Sequence, residues 1–545
     1  MFTCLLLLLV GCLASPDVGA HWTSPPTPTE PRTPPVAAAS PAPTTLGSGL
    51  VYEVYVRSYQ DNDGDGIGDL AGLVTRLDYI ASLGVTTLWL LPITPSATPD
   101  GNAVLDHSTV APEYGEPESL RRLVIEAHAR GLRVLLETPL NAVSRNHPAF
   151  VEALADEDSE ARDLFRFDAH PPKAPGWVPI DGEAYYAWGG PDLPDLNWDN
   201  PDVGEMVLGA QRGWIDQGVD GFVYRDVAPL IEPSVEPSIQ PPTPSTNRPS
   251  ASRRAMATIA DTIHAHDDEA RLYVGPDDPS VAGTTAWLGA SAPPIADFVL
   301  DTPRQGALHD ALLTADRASL LDVYAAQGPD PARMCAFLGS DRAPRLTTTL
   351  TDPDARRVAM VVHLLSAGQP VLYYGEELDL LDADAETLPD APWRGLMRWD
   401  TTQGAGFSTA EPWFPLDPGP GDPHNVAEAL ADERSMLRLV KALGDLRTQS
   451  VAARTGVFTV LATDDARALA FERSTNDERV VVIVNLTPDE LPDLRVAVAG
   501  PLNDLTSPGA THEEGDHLAF GPVAPYAYTV LEDRVPRPHP IPVVR

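Results

Sequence analysis

Cysteine is scarce in this chain: 545 residues hold three, Cys4, Cys12 and Cys335. So few thiols exclude a disulfide framework. Lysine is scarcer, present only at Lys173 and Lys441, so nearly all of the 38 basic residues are Arg. A GC-rich genome and adaptation to salt both produce that bias. Positive charge is short overall, with 78 acidic residues against 38 basic and a net charge of −40. This argues against nucleic acid and anionic membrane surfaces as partners and leaves a solvated acidic surface. No apolar run reaches the roughly 20 residues of a membrane-spanning helix, and no internal repeat is present. Apolar residues, by contrast, are plentiful at 43% of the chain, enough for one large core and a smaller one.

Residues 1–11 form a short apolar run that ends at Gly11, just before Cys12. An apolar run too short to span, then a small residue, then Cys resembles the bacterial lipobox. There the signal peptide is cut before a Cys that then carries lipid. The absence of Lys or Arg near Met1 departs from that pattern, and an uncleaved anchor is the alternative. On the first reading Cys4 leaves with the signal and Cys12 is lipidated. Cys335, in the apolar run 334–338, is expected as a packed core thiol. Residues 12–48 are rich in Pro, Thr, Ser and Ala, with too few large apolar residues to pack, and read as an extended tether. The expected address is the bacterial cell envelope, periplasmic or surface, with the membrane touched only through the lipid.

Beyond the tether, apolar strand-like runs alternate with helical periodicity. Strands are expected at 50–57, 85–92, 132–138, 218–226, 271–275, 297–300, 337–341 and 369–377. Leu70, Leu73, Leu77 and Ile80 mark the first helix, closed by Gly84. Such alternation argues for an α/β fold built on a parallel barrel. After the first strand comes Gln60-Asp61-Asn62-Asp63-Gly64-Asp65-Gly66-Ile67-Gly68-Asp69. Alternating Asp with interspersed Gly lets several carboxylates turn onto one hard cation, and a polar turn without metal is the alternative. An EF-hand wants Glu at its twelfth position, where Gly72 stands. A loop-rich excursion before the fourth strand holds Trp177, Tyr185, Tyr186 and Trp188. These rings suit either sugar stacking or the packing of a small subdomain. Residues 229–250 read as a Pro-rich insertion. From Gly456 onward, short apolar runs mark an antiparallel β domain.

Several stretches closely resemble the α-amylase superfamily, in particular its α-glucosidase branch. The fourth strand, Gly218-Val219-Asp220-Gly221-Phe222-Val223-Tyr224-Arg225-Asp226, resembles G-x-D-G-F-R-x-D with Val223 and Arg225 at the R and final D positions. His147-Pro148-Ala149-Phe150, Pro194-Asp195-Leu196-Asn197-Trp198 and Gln369-Pro370-Val371-Leu372-Tyr373-Tyr374-Gly375-Glu376-Glu377 match that branch as well, as does Met397-Arg398-Trp399-Asp400. The resemblance covers about residues 49 to 535. It implies a (β/α)8 TIM barrel over 49–450, with a small domain B at about 139–195 after strand 3. A C-terminal antiparallel β domain over 451–535 and a Pro-rich tail at 536–545 complete the order. It also implies a structural calcium held by Asp61, Asp63, Asp65, Asp69 and the Ile67 carbonyl.

The scaffold is kept while the chemistry is changed. The family's nucleophile position holds Arg225, its general-acid position holds Pro276, and the Arg after the strand's Phe is Val223. Two residues of the sugar pocket are Asn102 and Ala103, and two sugar-contacting His positions hold Ala142 and Ser340. His107, beside them, reads as a loop residue. Asp341, the distal Asp that holds sugar hydroxyls, is retained, and Asn141 and Arg345 remain as family substrate-binding positions. Retaining hydrolysis needs two carboxylates flanking the glycosidic bond, and neither stands in place. The chain therefore reads as a catalytically degenerate member, a glycoside hydrolase-like lipoprotein that binds an α-linked saccharide or a protein partner. The alternative is an active α-glucosidase or transglycosidase using Asp226 and Asp277, each one residue past its expected place. A one-residue shift along a strand turns a side chain to the other face unless a bulge restores it.

Overall fold

In the computed structural model the described residues are 48–542 without 228–229, 231–247, 277, 289–294, 327–329, 384–390, 417–418, 420–421, 499, 507–516 and 534–540. The signal, the tether, most of the insertion at 229–250 and most of the tail at 536–545 lie outside them.

Eight parallel strands close on themselves. They are β1 (Leu50–Val54), β2 (Val85–Leu90), β3 (Arg133–Glu137), β4 (Gly221–Tyr224), β5 (Arg271–Val274), β6 (Phe298–Leu300), β7 (Met334–Ala336) and β8 (Gln369–Tyr373). Each pairs with its neighbours in chain order, and β8 closes the ring on β1 with Val51 opposite Val371. This is a (β/α)8 barrel. Its strands are apolar and buried on both faces, as a sheet covered outside by helices and filled inside by side chains requires.

The intervening helices follow local signals. Helix α1 (Leu70–Ala81) starts where the Asp69 side chain caps the Gly72 amide, and it buries Leu70, Leu73, Leu77 and Ile80. Helix α2 (Pro353–Leu365) has Pro at its first turn, an Asp352 cap and an almost wholly buried surface. Such all-round burial fits a helix wedged between the barrel and the C-terminal strands, and Arg357 reaches from it to Tyr528 of the last strand.

Between β3 and β4 a three-stranded antiparallel sheet forms from Phe167–Asp168, Glu183–Tyr186 and Trp177–Ile180. Trp177, Tyr185 and Tyr186 pack here against one another and against Phe150 and Phe167, so these rings serve packing. Trp188 stays 42% exposed. After the barrel, a five-stranded antiparallel sheet is built on Val457–Val460, Ala468–Ser474, Arg479–Asn485, Tyr528–Glu532 and Asn503–Asp504.

Most strands are a few residues shorter than the sequence suggests, and the seventh lies at 334–336, ahead of the expected 337–341. The seventh ends at Ala336, and residues 337–341 form the loop beyond it. Their backbone groups are taken by side chains: Gln305 donates to the Leu338 carbonyl, and the Gly339 amide donates to Glu376. The eighth ends at Tyr373, because Gly375 turns left-handed at φ 86° and residues Glu376–Leu378 form a 3-10 turn. Cys335 is a buried free thiol in β7, its pKa raised by burial.

Candidate functional site

The strand ends converge on Arg225. Along β4 the side chains alternate. Tyr224 reaches out to Gln211 on the covering helix, so Val223 and Arg225 point into the barrel. The Arg225 guanidinium lies 4.6 Å over the Trp89 ring of β2. Its stem fits because residue 275 is Gly: a Cβ there would stand 3.2 Å from Arg225 Cγ.

Three buried carboxylates from three other strands meet this cation. Arg225 Nη2 donates to Glu53 of β1 at 2.7 Å, Nε lies 3.4 Å from Glu137 at the end of β3, and Nη1 donates to Asp341 beyond β7. Two more arginines close the shell. Arg342 bonds Glu137 at 3.2 Å and Asp226 at 2.5 Å, and Arg394 bonds Asp341 at 3.0 Å. Burial works against ionised Asp341, yet Arg225, Arg342 and Arg394 outweigh it and hold the carboxyl well below the usual range. Burial pushes Glu53 and Glu137 upward despite Arg225, and the Asp341 charge adds to the push. The centre of the barrel mouth is thus a buried cluster of ion pairs.

The remaining expected site residues fall around this cluster in different ways. Asp226 sits on a left-handed turn, φ 54°. The turn brings its carboxylate to the rim of the mouth, 58% exposed and held by Arg342. Asp277 lies outside the described residues. Pro276 lines the mouth cavity with an apolar ring. Arg345 does not face that cavity: it is 1% exposed, donates to the Tyr374 carbonyl at 2.7 Å and lies over the Tyr373 and Tyr374 rings. Asn141 ties down the end of the excursion by donating to Asp195 at 2.9 Å. Neither Asn141 nor Arg345 lines the mouth cavity. Asn102 bonds Asp100. His107 lies in a loop, as expected, but is buried there, and burial lowers its pKa to about 4.

The aspartate loop is split by the structure. Asp61, Asp63 and Asp65 bring carboxylate oxygens within 4.8 Å of one another. Asp69 stands apart as a helix cap, its two oxygens taken by the amides of Gly72 and Asn62 at 2.7 Å each. The Ile67 amide donates to Asp65. Three hard oxygen donors in one turn suit a calcium-type ion. Burial raises the Asp63 pKa, its Asp65 amide contact lowers it, and the charges of Asp65, Asp69 and Asp61 raise it. A cation would relieve that crowding.

A family model described as "Alpha amylase, catalytic domain" matches residues 53–456. The chain belongs to the α-amylase family. It is 26% identical over 496 residues to the glucan 1,6-alpha-glucosidase of Streptococcus pneumoniae serotype 4, covering 81% of this chain and 91% of that protein. It is 28% identical over 510 residues to a probable oligo-1,6-glucosidase 2 of Bacillus subtilis, covering 81% and 90%. Among solved structures, the alpha-amylase from H. orenii superposes with a TM-score of 0.77 at 25% identity, over 90% of this chain and 100% of that one. The family acts on α-glucans by hydrolysis or transglycosylation, and its catalytic groups belong at the strand ends where the cluster of this chain lies. Sequence reasoning found Arg225, Pro276 and Asp341 but missed Glu53, Glu137, Arg342 and Arg394. One signal was available: a cation at a buried strand end requires anions beside it.

Proposed function

We propose that this α-amylase-family protein binds a saccharide at the barrel mouth and does not carry out retaining hydrolysis. The observation that carries the reading is the position of Arg225. A guanidinium cannot attack an anomeric carbon, and its charge opposes an oxocarbenium-like transition state. The ring of Pro276 cannot deliver a proton to a leaving oxygen. The family and the glucosidase names of its relatives make α-linked glucosides the ligand class. The second reading, catalysis through Asp226 and Asp277, is disfavoured by the ion pair between Asp226 and Arg342, which stabilises a spectator carboxylate.

The test is turnover by the purified full chain of an aryl α-glucoside, maltooligosaccharides, isomaltose and trehalose. No turnover above background is expected from folded protein. Turnover that vanishes in Asp226→Asn would establish the second reading instead.

Two further proposals accompany this one. Asp61, Asp63 and Asp65 hold a structural calcium, which would pin the loop ahead of α1. Cys12 carries a lipid that places the protein in the bacterial cell envelope, and fatty-acid labelling lost in Cys12→Ser is the outcome expected.

A further inference from the structure

Beside the ion cluster, the barrel mouth keeps a cavity of about 230 Å³. That is room for about seven or eight waters at ~30 Å³ each, or for one compact six-carbon molecule. One wall is apolar, made by Pro276, Leu300 and Phe337 with the edge of Trp89. The other carries Thr302, Gln305, Ser340, Arg342 and Asp226.

The cluster beneath this cavity fixes what charge can enter. Arg225, Arg342 and Arg394 face Glu53, Glu137, Asp341 and Asp226. The first three carboxylates are buried, and Asp226 alone is largely exposed, at 58% against 4% or less. Its hold on Arg342 is therefore the one contact of the shell that is open to exchange with solvent. Arg342 itself is 30% exposed, while its other hand stays on Glu137. A neutral sugar displacing Asp226 leaves a half-buried cation short of an anion, which is costly. A ligand carboxylate displacing it restores the charge-assisted bond on Arg342 while Asp226 turns out into water.

We propose that the mouth cavity is a site for a carboxylated saccharide of uronate type, whose carboxylate takes the place of Asp226 on Arg342. The inference rests on the binding reading above and names its ligand. The hydroxyls meet Ser340, Gln305 and Thr302, and the less polar ring face lies against Phe337 and Leu300.

The test is calorimetric titration of the full chain with D-glucuronate, D-glucose and D-glucose 6-phosphate. Glucuronate should bind at least about tenfold more tightly than glucose, the weight of one charge-assisted bond. Arg342→Gln should erase that preference. Asp226→Asn, which removes the competing carboxylate, should tighten glucuronate severalfold and by more than it changes glucose. Equal affinity for glucose and glucuronate, a preference that survives Arg342→Gln, or no tightening in Asp226→Asn overturns the assignment. Tighter binding of the phosphate ester than of the uronate overturns the carboxylate specifically. The Asp226→Asn arm decides the matter even where Arg342→Gln fails to fold. Turnover of neutral α-glucosides sinks the binding reading itself, whereas silence in both assays sinks only the uronate.

Discussion

At the scale of the residue, Arg225 does two things at once. It stands where the family resemblance places the nucleophile, and it supplies the charge that lets Glu53, Glu137 and Asp341 stay buried together. Replacing it with a neutral side chain should therefore cost stability. Arg225→Met leaves three carboxylates around a hydrophobe, and breaking one side of a buried cluster costs about 3–5 kcal/mol. Denaturant unfolding at pH 7 measures it. The loss should shrink as pH falls. Asp341, depressed in the wild type, contributes stability that is present above its unfolded pKa and fades in acid. In the variant the same carboxyl is raised and gains by protonation, so the two curves approach one another. A loss below about 1 kcal/mol, or one independent of pH, would mean the cluster is not held by Arg225. Arg225 and Pro276 were legible in the sequence because a strong frame surrounds them. The partners were not: Glu53 and Glu137 read as ordinary residues of apolar strands. Only barrel closure, with β1, β3 and β7 each delivering a carboxylate to one axis, reveals their common purpose.

Among the elements, the loop ahead of α1 combines a helix cap with a candidate cation site. Asp69 precedes Leu70 and caps the Gly72 amide, while Asp61, Asp63 and Asp65 bring carboxylate oxygens within 4.8 Å of one another. The expected consequence of calcium is a higher melting temperature. At 100 times its Kd a ligand adds about 2.7 kcal/mol. Scanning calorimetry with calcium and with a chelator should differ by several degrees, and Asp63→Asn should abolish the difference. Coincident melts in both conditions would leave the loop a polar turn. A different pH response belongs to the loops packed against domain B and to α2. His107 and His147 are held at about 4 and His363 at about 3, each by burial. A base with a depressed folded pKa contributes stability above its unfolded value, near 6.5, and loses it as pH falls toward the folded value. Stability should thus fall from pH 6.5 to 4, by up to about 1.4 kcal/mol per unit for each histidine. His363→Gln should flatten the slope by one such share, and a slope unchanged in that variant would count against the assignment. The strand ends show why boundaries escaped the sequence reading. Residues 337–341 are as apolar as a strand at their start, but Gln305 and Glu376 take the hydrogen bonds that a ladder would need.

For the molecule as a whole, fold and surface charge were both open to reading, because both are sums over many residues. Eight apolar runs alternating with amphipathic helices leave few architectures besides a parallel barrel, and no single misread boundary alters that conclusion. The net charge of −40 is a sum of the same kind. Its consequence is self-repulsion in the compact state, which salt screens. The screening length falls from about 30 Å at 0.01 M to about 3 Å at 1 M. The melting temperature should therefore rise by several degrees across that range in sodium chloride, measured with calcium held saturating so that its own binding does not vary. Chloride is the salt to use, because sulfate would also strengthen apolar burial. Arg225→Met should show the same rise from a lower start, since the contacts of Arg225 with Glu53, Glu137 and Asp341 are buried beyond the reach of counterions. A melting temperature that stays flat or falls with salt would mean that the acidic residues are already paired or spaced well enough for repulsion to be small. A rise that disappears in Arg225→Met would move the salt response from the surface to the mouth of the barrel.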